Sequence, residues 1–141
     1  MYKKTLKLTV LVGALFSVMS TQAAVNPIFS CTAKNGKPVK VEKVGTDYVL
    51  SYQNLKVSNA FEAMKKRNNT HVSNHSGYIL FSLEFADKQD SYYVQYRESM
   101  GDAKPLYAGV FKVSGNENPK EYVVCNTKKP VIRNFELQID E

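Results

Sequence analysis

A chain of 141 residues with 19 Lys plus Arg, 13 Asp plus Glu and 43% apolar residues has room for one domain and hardly two. A charged fraction of 23% and an aromatic fraction of 11% belong to a folded globular chain, not a disordered one. Two cysteines are too few for a disulfide-framework miniprotein or a four-ligand zinc module, and the formal net charge of +6 includes residues that the mature chain is expected to lose.

Residues Met1 to Ala23 read as a secretory signal peptide. Lys3, Lys4 and Lys7 form the positive start, Leu8 to Met19 the apolar run, and Thr21 and Ala23 the small residues before the cleavage point. The 12-residue run is too short to cross a hydrocarbon core, which takes about 20 residues of helix. Residues 24–141 then form a single domain with 16 basic and 13 acidic residues, a net +3. So modest a charge with no Arg-rich face argues against nucleic acid as a partner. No cysteine follows the cleavage site directly, so no lipid anchor is expected. The destination is the bacterial periplasm or the exterior, an oxidising setting in which Cys31 and Cys125 are expected to form a structural disulfide. Neither cysteine lies in a Cys-x-x-Cys pattern or a basic cluster that would make a reactive thiolate.

The mature chain begins with period-two alternation. Phe29, Cys31 and Ala33 share one face, Asn35-Gly36 turns, and Val39 and Val41 alternate with Lys40 and Glu42. Gly45-Thr46-Asp47 turns again, and Tyr48, Leu50 and Tyr52 share a face. Ser58 or Asn59 is placed to cap a short helix running through Arg67, with Glu62 in the capping-box position and Ala60, Phe61 and Met64 as its apolar side. Asn68 to Gly77 is polar and turn-rich and reads as an exposed loop. Tyr78 to Phe85 has the cleanest alternation, with Ile79, Phe81, Leu83 and Phe85 on one face. Asp87 to Asp90 turns into Ser91 to Arg97, where Tyr92, Val94 and Tyr96 oppose Tyr93, Gln95 and Arg97. Leu106 to Val113, Tyr122 to Cys125 and Val131 to Ile139 complete the set, the last with Arg133 breaking its apolar face. The expectation is an all-β fold: a small antiparallel β-barrel or curled sandwich of about eight strands with one short helix.

Groups that carry chemistry are sparse. His71 and His75, the two histidines, are four apart in a polar stretch with no Glu in a zinc-protease pattern, so no metal and no cofactor is expected. Ser73 and Ser76 flank His75, but sequence neighbours seldom meet in triad geometry, and there is no Gly-x-Ser-x-Gly elbow. The carboxylates are scattered singly, without an apolar pair to split their pKa values. The chain reads as no enzyme. A mature complement of eight tyrosines suits half-buried sheet faces and recognition surfaces alike.

An exported, disulfide-tied, small antiparallel β protein opening with Phe29-Ser30-Cys31 resembles the periplasmic C-type lysozyme inhibitors. Ser76-Gly77-Tyr78 is similar to that family's Ser-Gly-x-x-Tyr motif, although Tyr here follows Gly directly. Tyr96-Arg97 looks like its second motif, with Arg in place of Lys. The resemblance implies a small β-barrel and a binding site at Ser76, Gly77, Tyr78, Tyr96 and Arg97 that plugs the cleft of a lysozyme-type enzyme. Antiparallel pairing of Tyr78–Phe85 with Ser91–Arg97 would bring the start of one strand beside the end of the other, and so gather these five residues. An immunity protein against a competitor's toxin, or an envelope-associated structural module, has the same size and address. The sequence leaves the partner and the oligomeric state open.

Overall fold

Alternation of period two carries most of the chain into strands. The computed structural model describes residues 26–137 and contains β1 (Asn26–Thr32), β2 (Pro38–Val44), β3 (Asp47–Tyr52), β4 (Leu55–Ala60), the helical turn α1 (Phe61–Met64), β5 (His71–His75), β6 (Tyr78–Asp87), β7 (Asp90–Ser99), β8 (Pro105–Ser114), β9 (Lys120–Val124) and β10 (Ile132–Arg133). The expected signal peptide, Met1–Ala23, and Ile139 of the last run lie outside the described residues.

Two antiparallel five-stranded sheets form, ordered β10-β1-β2-β3-β4 and β5-β6-β7-β8-β9. The all-β expectation holds, and of the two closures considered the structure adopts the curled sandwich, with no continuous barrel. The sheets touch at two corners. At one, Ala33 bridges Cys125, Lys34 N–H donates to the Val124 carbonyl (2.9 Å) and Asn126 N–H to that of Thr32 (2.8 Å). At the other, the Asn59 side chain stands in for a neighbouring strand: its amide nitrogen donates to the Ala86 carbonyl (3.0 Å) and its oxygen accepts from Ala86 N–H (2.8 Å). The Cys31–Cys125 disulfide locks the first corner, with Cα atoms 5.9 Å apart and 94 residues of separation.

The core lies between the sheets. Phe29, Val39, Val41, Tyr48 and Leu50 on one side meet Leu83, Phe85, Tyr92, Val94 and Val110 on the other, all buried. Burying each such aliphatic or Phe side chain contributes about 1.5–3 kcal/mol.

Three local expectations need correction. The helix is four residues long, Phe61–Met64, rather than running through Arg67, and its N-cap residue is Ala60, which supplies no side-chain cap. Ser58 and Asn59 are still paired in β4 (Ser58↔Val49, Asn59↔Tyr48), and the Asn59 amide is taken by Ala86 and by Arg67. Phe61, stacked on Tyr48 at 4.4 Å, and buried Met64 are what pin the turn. Second, the expected loop Asn68–Gly77 contains β5, paired with β6 from His71↔Ser82 to His75↔Tyr78. A sheet-edge strand needs only one inward side chain or so, here Val72, and the rest of HVSNH is free to be polar. With β4 this raises the strand count to ten among the described residues. Third, only Ile132 and Arg133 of the last run pair with β1. Phe135 instead packs as a plug against Phe81 (5.4 Å) and Phe29 (6.1 Å).

Candidate functional site

Along β7 the side chains of Tyr92, Val94, Tyr96 and Glu98 point into the sandwich, so Tyr93, Gln95, Arg97 and Ser99 must face outward. The register sets Arg97 between Leu80 on β6 and Tyr107 on β8. Its guanidinium carbon lies 5.7 Å from the Tyr78 ring centroid and 5.2 Å from that of Tyr107, within cation–π range of both. His75 stacks on Tyr78 in turn, at 4.7 Å and 12°.

Tyr107 takes its place because residue 109 is glycine. A Cβ there would come within 2.6 Å of both the Tyr107 hydroxyl and the Val123 carbonyl, so the ring lies over bare backbone. The hydroxyl donates to Glu121 Oε2 (3.3 Å). Burial, and then the Glu121 charge, push the Tyr107 phenol above its ordinary pKa of 10.0, which keeps it a neutral donor. Arg97 Nε is buried without a hydrogen-bond partner, and among the described residues the guanidinium has no carboxylate within ion-pair distance. Beside it opens a groove of about 260 Å³ lined by Asn69, Tyr93, Gln95, Arg97, Phe111 and Pro119.

Of the five residues singled out from sequence, four reach one end of the β6–β7 hairpin. Ser76 and Gly77 form the exposed two-residue turn between β5 and β6, where Gly77 supplies a φ of +87° that few other residues adopt. The Gly77 carbonyl accepts from Met100 N–H (3.1 Å), so the turn sits just past the end of β7, a few residues beyond Arg97. Tyr78 and Arg97 meet on the outer face. Tyr96 does not join them. It is 3% exposed, packs on Phe81 at 6.0 Å and faces the core, because neighbours in a strand point to opposite sides. Tyr107, Phe111 and Gly109 escaped the sequence reading. Their signal was an alternation in β8 with a glycine where an outward side chain was due.

The histidines lie on the outer face of β5. Four residues along a strand span about 13 Å, so His71 and His75 do not converge on one metal ion. Among the described residues no group of three or more His, Cys, Asp or Glu is arranged to hold one. Ser73 and His75 do meet: Ser73 Oγ is 2.9 Å from His75 Nε2, since residues two apart share a strand face. This pair stands on an exposed sheet edge, and the described contacts give His75 no carboxylate to orient it.

Comparison of the chain with protein-family models, with curated proteins and with solved structures finds no match.

Proposed function

We propose that this chain is an exported, non-enzymatic binding protein that blocks a cell-wall-degrading enzyme of the lysozyme type. The observation that carries the reading is Arg97: a guanidinium flanked by Tyr78 and Tyr107, outward-facing and without a carboxylate of its own among the described residues. A glycosidase of this kind works through a carboxylate pair, and a guanidinium fork is matched in shape and charge to a carboxylate. Holding the fork between two rings lowers the ordering cost of binding. The Ser76 hydroxyl, in the turn next to Tyr78, is the second polar group in reach of the same cleft. Tyr96 has no direct part in this surface. The disulfide supports an oxidising destination, since such bridges are more typical of exported proteins.

C-type lysozymes are usually cationic, as this chain is, so long-range attraction is absent and affinity rests on local fit. The test is affinity measurement of wild-type protein and of Arg97→Ala against a panel of muramidases. Removing Arg97 is expected to weaken the complex by about 2–5 kcal/mol with little change in the melting midpoint. Equal affinity of the two proteins would place the interaction elsewhere. Binding to amidases or pore-forming toxins but to no muramidase would favour the immunity reading.

A further inference from the structure

The end of the first sheet that carries the disulfide is strongly basic, and it is built from two turns and the sheet's outer face. Lys34 and Lys37 flank the β1–β2 turn, where Ala33 N–H donates to the Lys37 carbonyl (2.8 Å). Lys128 and Lys129 lie in the turn after Cys125, which starts at the Asn126 N–H bond to the Thr32 carbonyl (2.8 Å). Lys40 on β2 and Lys56 on β4 flank Ser51 on the sheet's outer face (Lys40↔Ser51, Ser51↔Lys56). All six lysines are exposed, and among the described residues none has an ion-pair partner. The segments that supply them, 27–41, 48–61 and 122–135, contain no Asp or Glu. Glu42, Asp47, Glu62, Glu121 and Glu136 border these segments; of them half-buried Glu42 is nearest to a lysine of the set, sharing a groove with Lys37 and Lys40.

We infer that this lysine-bearing end is a docking surface for an anionic membrane, through the phosphate headgroups of acidic lipids. Charge complementarity supplies the argument, and the kind of charge narrows the partner. Every exposed cation here is a lysine, a flexible point charge suited to a diffuse anionic plane rather than to one fixed carboxylate. The six project from turns and an outer sheet face, and no buried apolar anchor of the kind that a tight protein interface needs lies among them. Tyr122 is the exposed aromatic beside them. Its ring, edge-on to Tyr52 at 6.0 Å, borders an open groove of about 280 Å³ with Ala33, Lys34 and Asn35. A half-exposed tyrosine next to lysines is the pairing that settles at headgroup level in a bilayer interface. Arg97 lies on the other sheet, so a membrane-held molecule could keep its proposed binding face clear.

The test is co-sedimentation of the mature protein with vesicles of phosphatidylcholine containing phosphatidylglycerol, and with vesicles of phosphatidylcholine alone. Binding to the anionic vesicles alone is expected at low ionic strength, with loss on adding salt. The variant with Lys34, Lys37, Lys128 and Lys129 all changed to Gln is expected to bind about a thousandfold more weakly. A control of equal net charge, with Lys65, Lys66, Lys88 and Lys104 changed to Gln, is expected to bind much like wild type, and all three proteins to melt alike. No binding to anionic vesicles at low salt would overturn the inference. So would equal loss in both variants, which means net charge alone, or capture of a DNA duplex or heparin without capture of vesicles.

Discussion

Arg133 and Glu98 form a bidentate ion pair between the two sheets, with Nε 2.8 Å from Oε2 and Nη2 2.7 Å from Oε1. Glu98 ends the inward row of β7 and is 5% exposed, while Arg133 comes from β10 on the other sheet. The guanidinium also lies 4.7 Å over the Phe81 ring. An arginine that interrupts an apolar run in sequence is thus the counter-ion of a buried carboxylate, and it fastens the C-terminal segment across the sandwich.

Removing that partner leaves the buried Glu98 without its ion pair. Arg133→Ala is expected to cost about 2–4 kcal/mol, somewhat less than for a fully buried pair because the Arg133 side chain keeps 35% of its exposure. Glu98→Leu combined with Arg133→Met should recover most of the loss. Urea unfolding of the three proteins checks this, and a single-variant cost below about 0.5 kcal/mol would refute it.

The disulfide ties two strands that also meet through backbone hydrogen bonds. Its closed loop of 94 residues corresponds to about 4–5 kcal/mol in the chain-entropy model, an upper figure for the loss on Cys31→Ser with Cys125→Ser. Thiol titration of the denatured, unreduced protein should find no free cysteine. Two free thiols per chain would show the bridge to be absent in solution.

Gly109→Ala probes how the Arg97 surface is built. The new methyl meets the Val123 carbonyl as well as the Tyr107 hydroxyl, and backbone has little room to yield. A cost of about 1–3 kcal/mol is expected, with Tyr107 displaced from Arg97 and partner affinity reduced. Unchanged stability in urea would mean that the ring does not lie over the strand as described.

Alkaline pH should act through the tyrosines. Burial is the first cause raising the pKa of Tyr48, Tyr92, Tyr93, Tyr96 and Tyr107 above 10.0. The native state therefore holds phenol protons that the unfolded chain gives up, so these groups weaken the fold as pH rises above 10 and have no such effect below it. A phenolate absorbance titration of the folded protein should show these groups ionising above the ordinary phenol range. Ionisation of every tyrosine near pH 10, with the fold intact, would contradict this.

What was legible in the sequence followed the clarity of its alternation. Ser91–Arg97 buries every second side chain, and Tyr78–Phe85 buries Phe81, Leu83 and Phe85 of its expected inward row, with Ser82 buried between them; the expected Asp87–Asp90 turn tightens to Lys88–Gln89, because Asp87 and Asp90 themselves pair. Edge strands were harder: β5 buries so little that HVSNH reads as loop, and β4 runs directly into α1, so Ser58 and Asn59 looked like caps. The site was half visible for a related reason. Adjacent residues such as Tyr96 and Arg97 make one motif in sequence but point to opposite faces of a sheet. Tyr107, two strands from Tyr78, joins the surface through cross-strand register alone.

The most direct test of the proposed function is a lysis assay in which a C-type lysozyme clears bacterial cell walls in the presence of a chain of residues 24–141. Clearing is expected to stop at about one protein per enzyme, and Arg97→Ala to restore it while remaining folded. Full clearing at large excess of the wild-type protein, across muramidases of several families, would contradict the inhibitor reading.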